Sequence, residues 1–224
     1  MNVEIRQTED GSSTLYVPEL DETYHSIHGA IQESRHVFIE AGLKKLLLEA
    51  SSSKKSIKVF EVGFGTGLNA LLSLIEINDR DISLEYQSIE LYPLQDIVVN
   101  QLNYSNALED NKNYFNQLHE SPWGIKVDIT KKFKLHKINQ SFLEFNTSDK
   151  FDLIFFDAFG PSKQSDLWAK DVLNKCYQML HTSGVLVTYS AKGQLKRDLK
   201  DLGFIVEALP GPPGKAQMTR AIKV

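Results

Sequence analysis

The stretch Val59-Phe-Glu-Val-Gly-Phe-Gly-Thr-Gly-Leu-Asn69 decides the fold: an apolar run of strand character meets three glycines, and a helical pattern starts directly after them. Gly63, Gly65 and Gly67 let the backbone turn tightly and approach a ligand closely, at the place where parallel sheets bind nucleotides beyond their strand ends. Glu61 stands two residues before the first glycine, and Asn69 sits where the helix begins. Glu90 closes the next apolar run, 23 residues after Gly67, where a carboxylate accepts both hydrogen bonds of a ribose diol. Two cofactors satisfy this pattern. S-adenosylmethionine is one, and residues 65–70 also fit the loose G-x-G-x-x-A form of a nicotinamide dinucleotide site.

Outward from the loop, strand and helix patterns alternate. Strands are expected at 57–62, 84–90, 133–138, 151–156, 185–189 and 204–209, and helices at 68–77, from about 95, at 167–180 and at 194–202. Near-continuous apolar strands separated by helices predict a parallel sheet covered on both faces, an α/β fold of the Rossmann-like class. A last strand at 218–224, following Gly-Pro-Pro-Gly, pairs antiparallel with 204–209, an ending that favours the methyltransferase form of the fold. Ahead of this domain, taken as 57–224, residues 1–56 form an extension: a hairpin turning at Asp10-Gly11, a helix from about His36, and a Ser-Ser-Ser-Lys-Lys linker.

With 224 residues and 42% hydrophobic content, one domain with small additions is expected. The start lacks a signal-peptide pattern and no apolar run reaches the ~20 residues that span a bilayer, so a cytoplasmic location is expected. The lone Cys176 lies in an apolar helical pattern and excludes a disulfide framework within the chain. The net charge of −4 is unevenly spread. Residues 1–40 carry eight acids and two bases, residues 126–137 carry five lysines against Asp128, and residues 192–224 carry seven bases against three acids. A late basic face of this kind suits a phosphate backbone, although a solvated surface produces the same pattern.

The second chemical signal is Phe151-Asp-Leu-Ile-Phe-Phe-Asp-Ala-Phe-Gly-Pro161, an apolar strand delivering Asp157 to the edge that carries the glycine loop. An amine must be neutral to attack a methyl group, whereas an alkylammonium with a pKa of ~10 is mostly protonated at neutral pH. Asp157 is placed to accept a hydrogen bond from such a nitrogen, orient its lone pair and take up its proton. Alternatively it caps the following turn. Phe159 and Pro161 resemble a wall for a flat ring. His25, His28 and His36 lie near Glu33, but helical spacing puts only some of them on one face, and no metal is expected.

Taken together and in order, Asp21-Glu-Thr-Tyr-His-Ser26, Glu33-Ser-Arg-His-Val-Phe38, the glycine loop, Glu90-Leu-Tyr-Pro-Leu94, Asp157-Ala-Phe-Gly-Pro-Ser-Lys163 with Leu167-Trp168, and Gly184-Val-Leu-Val-Thr-Tyr-Ser-Ala191 resemble the methyltransferase domain of the MnmC family of tRNA wobble-uridine modification proteins. The resemblance implies methyl transfer from S-adenosylmethionine to the aminomethyl nitrogen at C5 of the wobble uridine. It implies a free-standing methyltransferase too, since the family's bifunctional members add a flavin-dependent oxidase domain absent from this sequence. Gly63, Gly65, Gly67 and Glu90 carry over as cofactor residues, counted here with Glu61 and Asn69. Asp157, Phe159 and Lys163 carry over to the substrate side. Tyr24, Glu33 and Arg35 fall in a segment that resembles a lid over the cofactor. Two positions depart from the family pattern. Relatives hold the adenine amine with an acid where this chain has Ile138-Asn139-Gln140, leaving the Gln140 amide oxygen as the acceptor, and Gly160 replaces an alanine.

The partner implied is the tRNA anticodon arm. Lys192, Lys196, Arg197, Lys215 and Arg220, from the late basic segment, are the candidates for phosphate contacts, and a wobble base already unstacked in a loop enters a pocket cheaply. No membrane partner is expected, and a monomer is compatible with the sequence. The rival readings are an aminopropyltransferase resembling spermidine synthase, a nicotinamide-dependent dehydrogenase, and a non-catalytic RNA-binding module.

Overall fold

Residues 151–156 show how the sequence builds the sheet. Leu153 and Phe155 are buried in one hydrophobic cluster, while Ile154 and Phe156 are buried in another on the opposite face. Only a strand covered on both sides uses every position this way.

The computed structural model describes residues 2–49, 56–110 and 113–224. Strands β1 (Glu4–Gln7), β2 (Ser13–Val17) and β3 (Glu22–Thr23) form a small antiparallel sheet. The expected hairpin is its first two strands. Next comes α1 (Ala30–Ser34), which runs through a π-helical segment, Arg35–Lys44, into α2 (Lys45–Glu49). The expected Ser-Ser-Ser-Lys-Lys linker lies outside the described residues. The main chain path continues as β4 (Ser56–Val62), α3 (Leu68–Ile77), β5 (Ser83–Glu90), α4 (Asp96–Val99), α5 (Tyr104–Ala107), α6 (Tyr114–Glu120), β6 (Lys126–Thr130), β7 (Phe133–Asn139) and β8 (Phe151–Phe156). It ends with a 3₁₀ turn at Ser165–Trp168, α7 (Lys170–Met179), β9 (Leu180–Thr188), α8 (Gly193–Asp201), β10 (Phe204–Pro210) and β11 (Gln217–Lys223).

The eight-stranded sheet has the order β10-β11-β9-β8-β4-β5-β7-β6. Strands β7, β5, β4, β8 and β9 are parallel neighbours, and β11 inserts antiparallel between β9 and β10. From β4 the chain steps first toward β5 and later returns to β8 on the other side. The order therefore reverses beside β4, the position where open α/β sheets hold ligands.

The helix of the N-terminal extension is part of the main core. Its Val37, Phe38, Ile39 and Leu43 are buried with Leu153, Phe155, Val185 and Val187 of the sheet. Gly42 permits this approach: a Cβ there would lie 3.0 Å from Val187 and 3.2 Å from Phe155. Helices α7 and α8 cover the other face through Val172, Leu173, Cys176, Leu195 and Leu199. Cys176 is fully buried, and burial pushes its thiol up to about 12, which leaves it inert as a nucleophile.

Strand β6 was not foreseen, and it redistributes the lysines of residues 126–137. Lys134 pairs with Asp128 at 3.4 Å, and the Lys132 ammonium donates to the carbonyls of Asn78 and Arg80 beyond the end of α3. Lys137 points inward with Phe133 and Leu135, its register mates on β7, and is 1% exposed. Its ammonium donates to the His119 carbonyl at 2.7 Å and lies 4.8 Å from the centre of the Trp123 ring, and burial lowers its pKa to about 8. This stretch is edge and core, not a uniform basic face.

Candidate active site

Parallel strands place the residues that follow them along one edge. Gly63 follows β4, Glu90 ends β5, Gln140 follows β7, Asp157 follows β8 and Tyr189 follows β9. A cavity of about 770 Å³ opens at this edge. Its floor is the glycine loop, and residues 22–28 and Glu33 wall it from the N-terminal side.

The loop is shaped by its glycines, which pack closely against neighbouring parts of the chain. Gly63 has φ +91°, and a Cβ there would stand 3.0 Å from the Asp157 carbonyl oxygen. Gly65, at φ +50°, leaves room for the Tyr24 ring, which a Cβ would meet at 3.2 Å. Both positions need glycine for conformation and for space. The Glu90 carboxylate braces the loop: Oε2 accepts the Gly65 N–H at 3.1 Å and Oε1 accepts the Tyr92 N–H at 2.8 Å. From beneath, the His119 imidazole meets the Thr66 carbonyl at 3.0 Å, and burial lowers its pKa to about 4, so the ring is neutral there.

Asp157 sits at the cavity floor, where Asn69 Nδ2 donates to its Oδ2 at 2.8 Å. Burial lifts its carboxyl to about 7; the charge of Glu33 adds to the rise, and the Asn69 hydrogen bond and Lys215 oppose it. The following loop is pinned by three hydrogen bonds. Trp168 Nε1 donates to the Phe159 carbonyl at 2.8 Å, the Phe159 N–H donates to Gln164 Oε1 at 3.1 Å, and the Tyr189 hydroxyl donates to the Ala158 carbonyl at 2.8 Å. Phe159 thus faces the cavity and meets Tyr24 edge to face at 5.0 Å between ring centres.

Of the residues expected in the site, Tyr24, Glu33, Gly63, Gly65, Asn69, Glu90, Gln140, Asp157, Phe159 and Lys163 line the cavity. Others are placed differently. Glu61 lies beneath the loop, fully buried, and its carboxylate accepts from Ser88 Oγ at 2.7 Å instead of facing a ligand. Strand alternation explains this, because Glu61 and Ser88 are register partners on β4 and β5. Gly67 is the left-handed residue that starts α3, not a cavity wall. Pro161 and Arg35 are absent from the lining, and Arg35 is exposed on the helix.

The basic candidates divide. Arg220 is held by Glu207 at 2.5 Å and by the Ala41 carbonyl at 3.1 Å, a structural tie between β10, β11 and the long helix. Lys215 reaches into the cavity and pairs with Glu33. Lys192, just before α8, and Arg197, in its middle, are exposed, and Lys196 donates to Gln217 at 2.8 Å. Ser26, Trp168 and Tyr189 stand in the stretches that carry the resemblance but had no role assigned, and Gln164 and His119 were not singled out, because nothing local marks a residue that supports a distant loop. The clustered histidines part company: His25 is buried against Tyr104, His28 contacts Glu9, and His36 contacts the Pro210 carbonyl. Among the described residues no group of three acidic, histidine or cysteine side chains is arranged to hold a metal.

Burial lifts the Glu61 carboxyl to about 8; Ser88 opposes this, and the charge of Asp157 reinforces it. A carboxyl whose pKa rises on folding stabilises the fold while protonated, and that contribution fades as pH rises from the unfolded value toward the folded one. Glu61→Gln is therefore expected to remove a loss of stability of up to ~1.4 kcal/mol per pH unit between about pH 4.5 and 8. Urea denaturation at pH 5 and pH 8 tests this, and equal pH dependence in both proteins would refute it.

Fold and site together define a Rossmann-like α/β protein with a ligand-sized cavity at the Gly63 turn. The chain belongs to the Methyltransf_30 family of S-adenosyl-L-methionine-dependent methyltransferases, whose profile matches residues 106–224. It is 27% identical over 220 residues to the tRNA 5-methylaminomethyl-2-thiouridine biosynthesis bifunctional protein MnmC of Cupriavidus necator, and 28% identical over 211 residues to that of Leptospira interrogans. These alignments cover 92% and 89% of this chain but 32% of each relative, so the chain spans about a third of the length of the curated relatives it matches. The crystal structure of MnmC2 from Aquifex aeolicus superposes with a TM-score of 0.77 at 27% identity, covering 98% of this chain and 70% of that one. Of the chemistries the glycine loop permits, the family selects S-adenosylmethionine and sets aside the dinucleotide and aminopropyl readings.

Proposed function

We propose that this chain methylates the aminomethyl nitrogen at C5 of the tRNA wobble uridine. The observation that carries this reading is Asp157: a carboxylate at the edge of the cofactor loop, in a cavity walled by Tyr24, Phe159 and Tyr189. The names of the relatives supply the substrate class.

Bound S-adenosylmethionine supplies an electrophilic methyl carbon on a sulfonium. Glu90 would hold the ribose hydroxyls, Gln140 would accept from the adenine amine, and the backbone turn that Gly63 and Gly65 permit would help hold the cofactor. Tyr24 and the rest of residues 22–28 act as a lid, excluding water from the reacting atoms. Phe159 offers a face to the uracil ring, with Lys163 beside it. Asp157 accepts an N–H from the amine, which directs the nitrogen lone pair at the methyl carbon. As the methyl group passes to nitrogen, the S–C electron pair would stay on sulfur, and Asp157 would take the proton that nitrogen gives up. No metal is needed for this displacement. Lys192, Lys196 and Arg197 contact phosphates of the anticodon arm, which positions the arm without reading its sequence.

The test is methyl transfer from labelled S-adenosylmethionine to total tRNA lacking the modification, followed by nucleoside analysis. Label in a 5-methylaminomethyl uridine is the expected result. Cofactor binding with label in no tRNA nucleoside, or in a different one, would overturn the substrate assignment.

A further inference from the structure

Along the strand order, the ribose partner Glu90 lies on one side of the Gly63 turn, and two opposite charges face each other on the other side. Glu33, on α1, is buried, with its side chain 7% exposed. Its Oε2 accepts the Ser26 N–H at 2.6 Å and its Oε1 accepts the ammonium of Lys215. Lys215 comes from the turn between β10 and β11. That turn reaches the cavity because β11 runs antiparallel to β9, so its beginning lies at the edge where β9 ends. The Lys215 ammonium also stands 4.0 Å from the centre of the Tyr189 ring.

Both charges line the cavity, and neither is saturated. An ammonium has three N–H donors and a carboxylate about four acceptor sites, more than the Glu33–Lys215 contact uses. An ion pair with one member buried and the other half-buried is a poor way to stabilise a fold, since the desolvation cost of the buried charge offsets much of the attraction. An ion pair set in a ligand cavity instead matches a ligand carrying one charge of each sign.

S-adenosylmethionine carries such a pair at its amino-acid end, an ammonium and a carboxylate on the same carbon. We propose that Glu33 receives this ammonium and Lys215 this carboxylate, so that the pair is the receptor for the amino-acid end of the cofactor. The inference rests on the cofactor assignment of the family and deepens it. The exchange keeps the cavity's net charge unchanged, and each group gains a charge-assisted hydrogen bond. It also gives selectivity. A decarboxylated sulfonium leaves the Lys215 ammonium without its anion, so the site discriminates against the aminopropyl donor. Lys215 is thereby reassigned from the RNA phosphates, because its ammonium is turned into the cavity onto Glu33 and Tyr189.

Two ligands separate the amino-acid end from the rest: S-adenosylhomocysteine, which has it, and 5′-methylthioadenosine, which lacks it. Titration calorimetry of the full chain should show Lys215→Met weakening S-adenosylhomocysteine by about 10- to 100-fold while 5′-methylthioadenosine changes less than about twofold. Unchanged binding of the second ligand shows that the variant is folded and its adenosine site intact. Lys215→Arg should keep most of the affinity, and Glu33→Gln should lose affinity for the first ligand only. Equal effects of Lys215→Met on both ligands, or none on either, would overturn the proposal. So would a variant that binds S-adenosylhomocysteine normally and is impaired only in KM for tRNA. Failure of the unaltered protein to bind S-adenosylhomocysteine would instead remove the cofactor assignment itself, and this inference with it.

Discussion

Replacing Asp157 by asparagine is expected to lower turnover by roughly 10²- to 10⁴-fold while leaving cofactor affinity within about threefold. Asparagine keeps the shape of the side chain, but it cannot take the amine proton, and with its amide oxygen accepting from Asn69 Nδ2 it presents a donor instead of an acceptor to the amine. The pH profile carries the sharper prediction. Because burial holds the Asp157 carboxyl up to about 7, the group is only partly ionised at neutral pH. Only the ionised form accepts the proton, so the single-turnover rate should rise with pH through about 7. In the variant that inflection should vanish, leaving the higher one that belongs to the substrate amine, whose unperturbed pKa is ~10. Single-turnover methylation between pH 5.5 and 9 measures both. Near-normal turnover, or the same low inflection in the variant, would show that Asp157 neither takes the proton nor directs the amine.

Glu90→Ala should weaken S-adenosylhomocysteine binding by about 100-fold or more, the loss of two hydrogen bonds to a charged acceptor. The carboxylate does two things at once. Its oxygens take the Gly65 and Tyr92 N–H groups, which sets the loop, and the same oxygens face the cavity where the ribose diol would lie. Glu90→Asp keeps the charge but is shorter by one methylene, and should fall between the alanine variant and the unaltered protein. A 2′-deoxy analogue separates the two tasks. The unaltered protein should bind it less tightly than the ribo form, whereas Glu90→Ala should not distinguish them. Alanine affinity within threefold of the parent would mean that Glu90 braces the loop without touching the ribose.

The elements nearest the chemistry were legible because their signals are local. The strand, three glycines and helix around Gly63 read as a cofactor loop because positive φ and close approach call for glycine, and both are observed at Gly63 and Gly65. The helix Leu68–Ile77 and the strand Phe151–Phe156 have the boundaries their periodicity predicts. Once the strands are parallel, residues just past their ends share one edge, so Glu90 and Asp157 were brought together by topology. Strand β6 was missed because Lys126-Val-Asp-Ile-Thr130 alternates charged or polar residues with aliphatics on an edge of the sheet where no position is fully buried, and so resembles exposed surface.

The amino-acid sequence by itself determined the fold class, the glycine turn after β4 and which carboxylates stand at the ends of β5 and β8, since each is read from a local pattern. Only the tertiary structure decided what each charged side chain faces. It buried Glu61 under the loop, tied Arg220 to Glu207, and brought Lys215 to Glu33 across 182 residues of chain. Charge pairing is set by which surfaces fold together, and a run of lysines looks the same whether its members meet water, a strand partner or a buried carboxylate.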